Sequence, residues 1–319
     1  MIPRPHCPAC GTAAARPVAD LPYDAPPISA YLADFYPNLR AGDFGPLAGA
    51  RYRLAECGGC GCVFQDPVPD AGFLADFYGR DARALGQPVS TACEPYVVAG
   101  AVRELMMIVR SLQPAVPSPC VLDFGTGGGS WALLAAASGL ATHACDVSDR
   151  AFARLEAAGV HCHRPDALPE GRFDIINAEQ VFEHLADPAA VLAALVRALK
   201  PAGMIKIGVP HDPGLRRKLA QPVWSAAKNT PESLNAVAPV EHLNHFEPAS
   251  LRALAARSGL ESRRVVGWDL LRAGERPGGG ARARLGRWLR ARLGDDYRPL
   301  RGLTQTIFLA RRERTGVPG

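Results

Sequence analysis

The most pronounced change from apolar to polar positions lies near the middle of the chain. Cys120-Val121-Leu122 is a short hydrophobic run that closes on Asp123 and opens into Gly125-x-Gly127-x-Gly129. That pattern predicts a buried strand leading into a tight turn. Residues 131–137 follow with an apolar helical stretch stopped at Gly139. Residues 141–145 predict a second strand closing on Asp146, and the apolar runs within 173–185 and 200–210 are expected to hold two more. Between these two, Asp187-Pro188 marks a helix start, with proline tolerated in the first turn. Another helix is expected from Pro248 to Gly259, and strands at 263–268 and 305–311. Strands alternating with helices in this way predict an α/β domain with a largely parallel sheet.

The first 80 residues read differently. Arg51-Tyr52-Arg53-Leu54-Ala55-Glu56 alternates as a strand does, whereas residues 21–27 and the Asp/Gly/Pro-punctuated segment after them read as loops with short strands. Cys7-Pro8-Ala9-Cys10-Gly11 and Cys57-Gly58-Gly59-Cys60-Gly61 form two CxxCG knuckles. Four thiolates at this spacing suit tetrahedral Zn²⁺, and a closed set of four leaves no position for water or substrate, so the ion expected at Cys7, Cys10, Cys57 and Cys60 is structural. Cys62 is an alternative partner for Cys57, but the CxxC geometry favours Cys60. A zinc module at 1–80 and a catalytic domain at 81–319 are therefore expected, with a short helix around Leu74 to Tyr78 at the junction.

The middle of the chain resembles the class I S-adenosylmethionine-dependent methyltransferases, over roughly residues 95–312. Asp123-x-Gly125-x-Gly127-x-Gly129 looks like their first motif, and Ser130 stands where a dinucleotide fingerprint requires Gly or Ala. The resemblance implies a Rossmann-like seven-stranded sheet that finishes with antiparallel strands. It places the cofactor's amino-acid end near Asp123, Gly125, Gly127 and Gly129. Asp146, about 20 residues beyond the first glycine, is suited to accept both ribose hydroxyls. His163-Arg164-Pro165-Asp166-Ala167-Leu168-Pro169 is similar to the family's adenine-facing turn, which implies Asp166 and Ala167 as contacts. The run from Phe173 to His184 is similar to the fourth strand and its exit, which adds Glu179 to the implied cofactor residues. Knuckles ahead of such a core also resemble a bacterial subgroup with an N-terminal zinc-binding domain, associated with sugar and natural-product methylation.

Composition narrows the setting. With 48% hydrophobic and 21% charged residues the chain can bury a sizeable core. It offers no run of about 20 apolar residues and no apolar signal core at its start, so a cytoplasmic protein is expected. In that setting its nine cysteines are reduced thiols. Cys93, Cys120, Cys145 and Cys162 are scattered and read as small buried hydrophobes. The formal charge of +5 is concentrated after Arg276, and residues 282–293 predict a helix with Leu285, Trp288, Leu289 and Leu293 on one face and arginines on the rest. Such a helix, within a basic insertion at 276–302, suits docking on the domain or peripheral contact with an anionic membrane.

The substrate side falls after the fifth strand, where residues 211–246 are long enough to be an insertion that borders the acceptor. Within it, Glu241, His242 and His245 are the candidate catalytic residues, since imidazole can take a proton from a hydroxyl or amine acceptor. His245 can alternatively cap the next helix and His242 can serve packing. The same three side chains could form part of a metal site, but the methyltransferase core has no need of one. A small-molecule acceptor, most simply a sugar, a nucleotide-linked sugar or a natural-product intermediate, is expected. The alternatives are an RNA methyltransferase that uses the zinc module for recognition, and a non-enzymatic binding protein. The N-terminal module lacks the clustered basic and aromatic residues that nucleic acid would need.

Overall fold

A computed structural model describes residues 1–36, 39–84, 95–112, 114–227, 230–265 and 304–312. The chain opens with strand β1 (Ala15–Pro22), helix α1 (Ile28–Phe35), strands β2 (Arg51–Cys57) and β3 (Val63–Gln65) and helix α2 (Ala71–Ala84). Helix α3 (Pro95–Arg110) leads into the larger unit: β4 (Cys120–Phe124), α4 (Ser130–Ala137), β5 (Ala141–Cys145), α5 (Phe152–Ala157), β6 (His161–His163), β7 (Phe173–Glu179), α6 (Pro188–Ala198) and β8 (Leu199–Pro210). Helix α7 (Leu215–Ala220), strand β9 (Asn244–His245), helix α8 (Pro248–Arg257), strand β10 (Leu260–Ser262) and strand β11 (Thr304–Arg311) complete it.

Seven strands form one sheet in the order β10-β11-β8-β7-β4-β5-β6. β6, β5, β4, β7 and β8 are mutually parallel; β11 pairs antiparallel with β8, and β10 antiparallel with β11, so that β11 alone opposes the rest. This is the Rossmann-like arrangement expected. All five residues of β4 are buried, as in a strand covered on both faces by helices. Asp187 caps α6 by accepting from the amides of Ala189 (3.1 Å) and Ala190 (3.0 Å), with Pro188 at the first turn. In place of the strand expected at 263–268, the strand found is Leu260–Ser262; residues 263–265 are not in a strand, and 266–268 lie outside the described residues. Gly259, at φ 70°, ends the preceding helix and turns the chain directly into pairing with β11. The basic insertion at 276–302 lies outside the described residues, as does Cys93.

The second sheet has the order β1-β2-β3-β9 and is antiparallel. Its fourth strand comes from the far end of the 211–246 segment: Val63 pairs with His245 and Phe64 with Asn244. A shared core joins the two parts. Tyr23, Tyr31, Tyr52 and Leu54 of the N-terminal part pack with Leu215, Trp224, Leu234 and Val240. Helix α2 runs through the position near residue 80 where a domain boundary is expected. The N-terminal module and the insertion therefore share one sheet and one core, which hold the segment 241–245 in place.

Candidate functional site

The carboxyl ends of four adjacent parallel strands carry the acidic residues singled out by the sequence. Asp123, 4% exposed at the end of β4, accepts from Asn177 Nδ2 and from Thr126 Oγ1, each at 2.8 Å. Its burial raises its carboxyl pKa, and those two donors act in the opposite direction. Gly125 and Gly129 both have positive φ (74° and 77°). A Cβ at Gly125 would lie 2.4 Å from Val181, and one at Gly129 2.7 Å from Leu155, so the turn is closed to any larger residue. A Cβ on Gly127, by contrast, would meet nothing within 4 Å, which leaves bare backbone facing open space. The Gly127 amide donates to Asp146 Oδ2 at 2.8 Å, and the Ser148 amide to Asp146 Oδ1 at 2.9 Å. Asp166 and Ala167 sit in a single 3₁₀ turn after β6, both exposed.

Glu179, at the end of β7, forms an ion pair with Lys206 Nζ at 2.8 Å. Lys206 also pairs with Glu104 of α3 and donates to Asn177 Oδ1 at 3.1 Å. Burial opposes its charge, but Glu179 and Glu104 more than offset this and its pKa is raised. Asp123, Asn177, Lys206 and Glu179 thus form one chain of polar contacts across three strands and onto α3.

The segment expected to border the acceptor adjoins these residues. Val181 covers Gly125, and the next residues, Phe182–His184, form a 3₁₀ turn that meets segment 241–245. His184 Nδ1 lies 2.9 Å from the Glu241 carbonyl and 3.2 Å from Tyr78 Oη. Glu241 Oε2 accepts from Tyr36 Oη at 2.9 Å. His242 Nδ1 contacts the Asn235 carbonyl, and its ring lies 5.0 Å from that of His184. Asn244 Nδ2 donates to the carbonyls of Phe182 (3.0 Å) and Leu185 (2.8 Å), stitching the two segments together. Glu183 is 1% exposed, and neither carboxylate oxygen has a hydrogen-bond partner. Burial pushes its pKa well up, with Glu179 and Glu241 adding to the effect.

Of the three candidate catalytic residues, Glu241 and His242 belong to this cluster. His245 does not: it is 2% exposed in the ladder with Val63, both ring nitrogens are enclosed, and burial beside His211 lowers its pKa to about 3. Sequence reasoning missed Tyr36, Tyr78, Glu183, Asn177 and Lys206. Each tyrosine closes a Leu-Ala-Asp-Phe-Tyr run, at 32–36 and 74–78, and that repeat was the available sign. Asn177 and Lys206 alternate within apolar strands, where an inward polar residue among buried neighbours was the available sign.

The knuckles converge as their spacing requires. Ligand atoms of Cys7, Cys10, Cys57 and Cys60 lie within 4.8 Å of one another, with Sγ separations of 3.6 Å (Cys7–Cys60) and 3.5 Å (Cys10–Cys57). Sulfurs placed tetrahedrally around one Zn²⁺ stand about 3.8 Å apart, so the set fits the ion. Cys62 is fully buried next to them. Arg257 of α8 donates to the carbonyls of Pro8 (3.1 Å) and Ala9 (3.0 Å), and Arg4 donates to Leu243 O at 3.2 Å. The first knuckle is thereby tied to α8, and the residues just ahead of it to segment 241–245.

Residues 101–265, more than half of the chain, match the family model described as a methyltransferase domain. The chain belongs to the class I S-adenosylmethionine-dependent methyltransferase family. It is 28% identical over 164 residues to the ubiquinone biosynthesis O-methyltransferase of Thiobacillus denitrificans, a match that covers 46% of this chain and 66% of that relative. It is 36% identical over 108 residues to the tRNA 5-carboxymethoxyuridine methyltransferase of Escherichia coli K12, covering 30% of this chain and 41% of the other. The chain thus spans less than two thirds of these curated relatives. Among solved methyltransferases it is similar to the Burkholderia thailandensis 1,6-didemethyltoxoflavin-N1-methyltransferase, with 17% identity and a TM-score of 0.45 over 82% of this chain and 96% of that one.

Proposed function

We propose that this methyltransferase transfers a methyl group from S-adenosylmethionine to a small, hydroxyl-bearing acceptor, a sugar, nucleotide-linked sugar or natural-product intermediate. The observation that carries this reading is the enclosed polar cluster of Tyr36, Tyr78, His184, Glu241 and His242 beside the glycine turn. Polar groups that converge in this way, Tyr36 and His242 buried and the other three half-buried, favour a small acceptor over a nucleic acid.

S-adenosylmethionine supplies an electrophilic methyl group on a sulfonium. Asp146 would take the ribose hydroxyls, with Asp166 and Ala167 towards the adenine and Asp123, Gly125, Gly127, Gly129 and Glu179 around the amino-acid end. The bare backbone at Gly127 and the fixed Asp146 carboxylate suit that role. Catalysis then rests mainly on orienting the acceptor oxygen in line with the sulfonium carbon. Bonding of the acceptor oxygen to that methyl group would leave the carbon–sulfur electron pair on sulfur, with S-adenosylhomocysteine as the second product. The proton of the hydroxyl passes to His242 or to Glu241, whose carboxylate the Tyr36 hydroxyl holds in place. The Cys₄ zinc has a structural part, stabilising the sheet from which His242 hangs. Among the described residues no helix is long and apolar enough to cross a membrane.

Calorimetric titration with S-adenosylmethionine, followed by transfer of labelled methyl to a panel of sugar nucleotides and polyols, tests the reading. Saturable cofactor binding with label in one acceptor class supports it. Folded, zinc-loaded protein that binds no cofactor overturns it.

A further inference from the structure

Glu241, His242 and His245, weighed above as part of a metal site, do not come together as a donor set among the described residues; His242 instead meets Glu183 and His184. Ligand atoms of Glu183, His184 and His242 all lie within 4.8 Å of one another. Their chemistry is that of two imidazoles and one carboxylate, a set that suits divalent first-row ions and leaves coordination positions open.

Three further observations point to a ligand there. The Glu183 carboxylate is buried and both its oxygens lack a hydrogen-bond partner, a costly arrangement unless a cation satisfies it. Each imidazole has Nδ1 against a backbone carbonyl, Glu241 O for His184 and Asn235 O for His242. A carbonyl can only accept, so Nδ1 carries the hydrogen and Nε2 the lone pair, as in metal-ligating histidines whose other ring nitrogen is held by a carbonyl. His184 Nε2 stands 3.7 Å from Glu183 Oε1, within the span that two ligands on one ion can bridge.

We propose that Glu183, His184 and His242 hold a divalent transition-metal ion, separate from the Cys₄ zinc, whose open positions take the acceptor oxygen. The role of those open positions rests on the methyl-transfer reading above; the binding of the ion does not. The ion lowers the pKa of a hydroxyl bound to it. With His242 engaged as a ligand, the proton leaves for the Glu241 carboxylate, the oxygen bonds to the methyl carbon, and the carbon–sulfur electron pair stays on sulfur.

The test is titration of the full, zinc-loaded chain with Mn²⁺, which competes poorly for thiolates. Binding is read by loss of the free-ion signal in electron paramagnetic resonance, with S-adenosylmethionine affinity measured in parallel. One Mn²⁺ per chain at micromolar concentration is expected, and Glu183→Gln and His184→Gln should each weaken it by about 10- to 100-fold or more. A wild-type chain that takes up no Mn²⁺ at millimolar concentration overturns the proposal without recourse to a variant. So do folded variants that bind the ion as the wild type does. If the ion is absent while the cofactor binds, only this site falls; if the ion binds and the cofactor does not, the methyltransferase reading falls instead.

Discussion

Replacement of Asp146 by alanine isolates the contribution of a single strand end to cofactor affinity. In the structure this carboxylate accepts from the Gly127 amide at 2.8 Å and the Ser148 amide at 2.9 Å, so it already orients the glycine turn before any ligand arrives. With cofactor present it would also take the ribose hydroxyls. Hydrogen bonds to a charged group contribute about 1.5 to 3 kcal/mol. Because Asp146 is half-buried, the two amide bonds stay at the low end and are partly replaced by water. The net loss is then about 1.5 to 3 kcal/mol, a dissociation constant raised about 10- to 150-fold. Calorimetry with S-adenosylhomocysteine measures it directly, and Asp146→Asn, which keeps one acceptor oxygen, should fall between alanine and wild type. A change of less than about threefold in the alanine variant, below half of the tenfold step in free energy, would remove Asp146 from the site and with it the register assigned to the glycine turn.

Three further outcomes are expected. Lys206→Met strands Glu104 and Glu179 without their cation, and since both acids are partly exposed the loss of stability should be about 2 to 4 kcal/mol, read as a lower urea midpoint; an unchanged midpoint refutes the network's importance. Cys57→Ser should release the Cys₄ zinc and loosen the four-stranded sheet while cofactor affinity stays within about threefold, and metal analysis of the wild type finding well under one equivalent would contradict the site. Burial and its histidine neighbours bring His143 down to about 4 and lower His163 as well. A folded-state pKa below the ordinary 6.5 means that the unfolded chain binds more protons in this window, so stability is complete above about pH 6.5 and declines towards pH 4, by up to about 3 kcal/mol. Thermal melting that does not change between pH 7 and pH 5 would contradict this.

The parts of the fold legible in the sequence are those written within a single strand and its following turn. Asp123 with its glycines and Asp146 at the close of β5 are local signals, and the order of strands follows from their alternation with helices. The acceptor side was less legible because it is assembled across the chain. Tyr36 meets Glu241 across 205 positions and Tyr78 meets His184 across 106, which no periodicity records. β9 is two residues long, too short to alternate, so its segment read as a free insertion rather than as part of the N-terminal sheet. His242 and His245 looked equivalent in sequence. The ladder with β3 separates them, enclosing one and leaving the other in the cluster with His184.

The pairing of β3 with β9 also bears on how the chain is made. The knuckle residues leave the ribosome well before the groups that complete their sheet; Arg4 and its partner Leu243 are 239 positions apart. Loop closure over such a distance is slow, and an unpaired strand edge invites wrong partners while it waits. Zinc bound early by the four thiolates would keep that edge in shape during synthesis. A nascent chain starved of zinc would then aggregate through its N-terminal strands before the catalytic half had emerged.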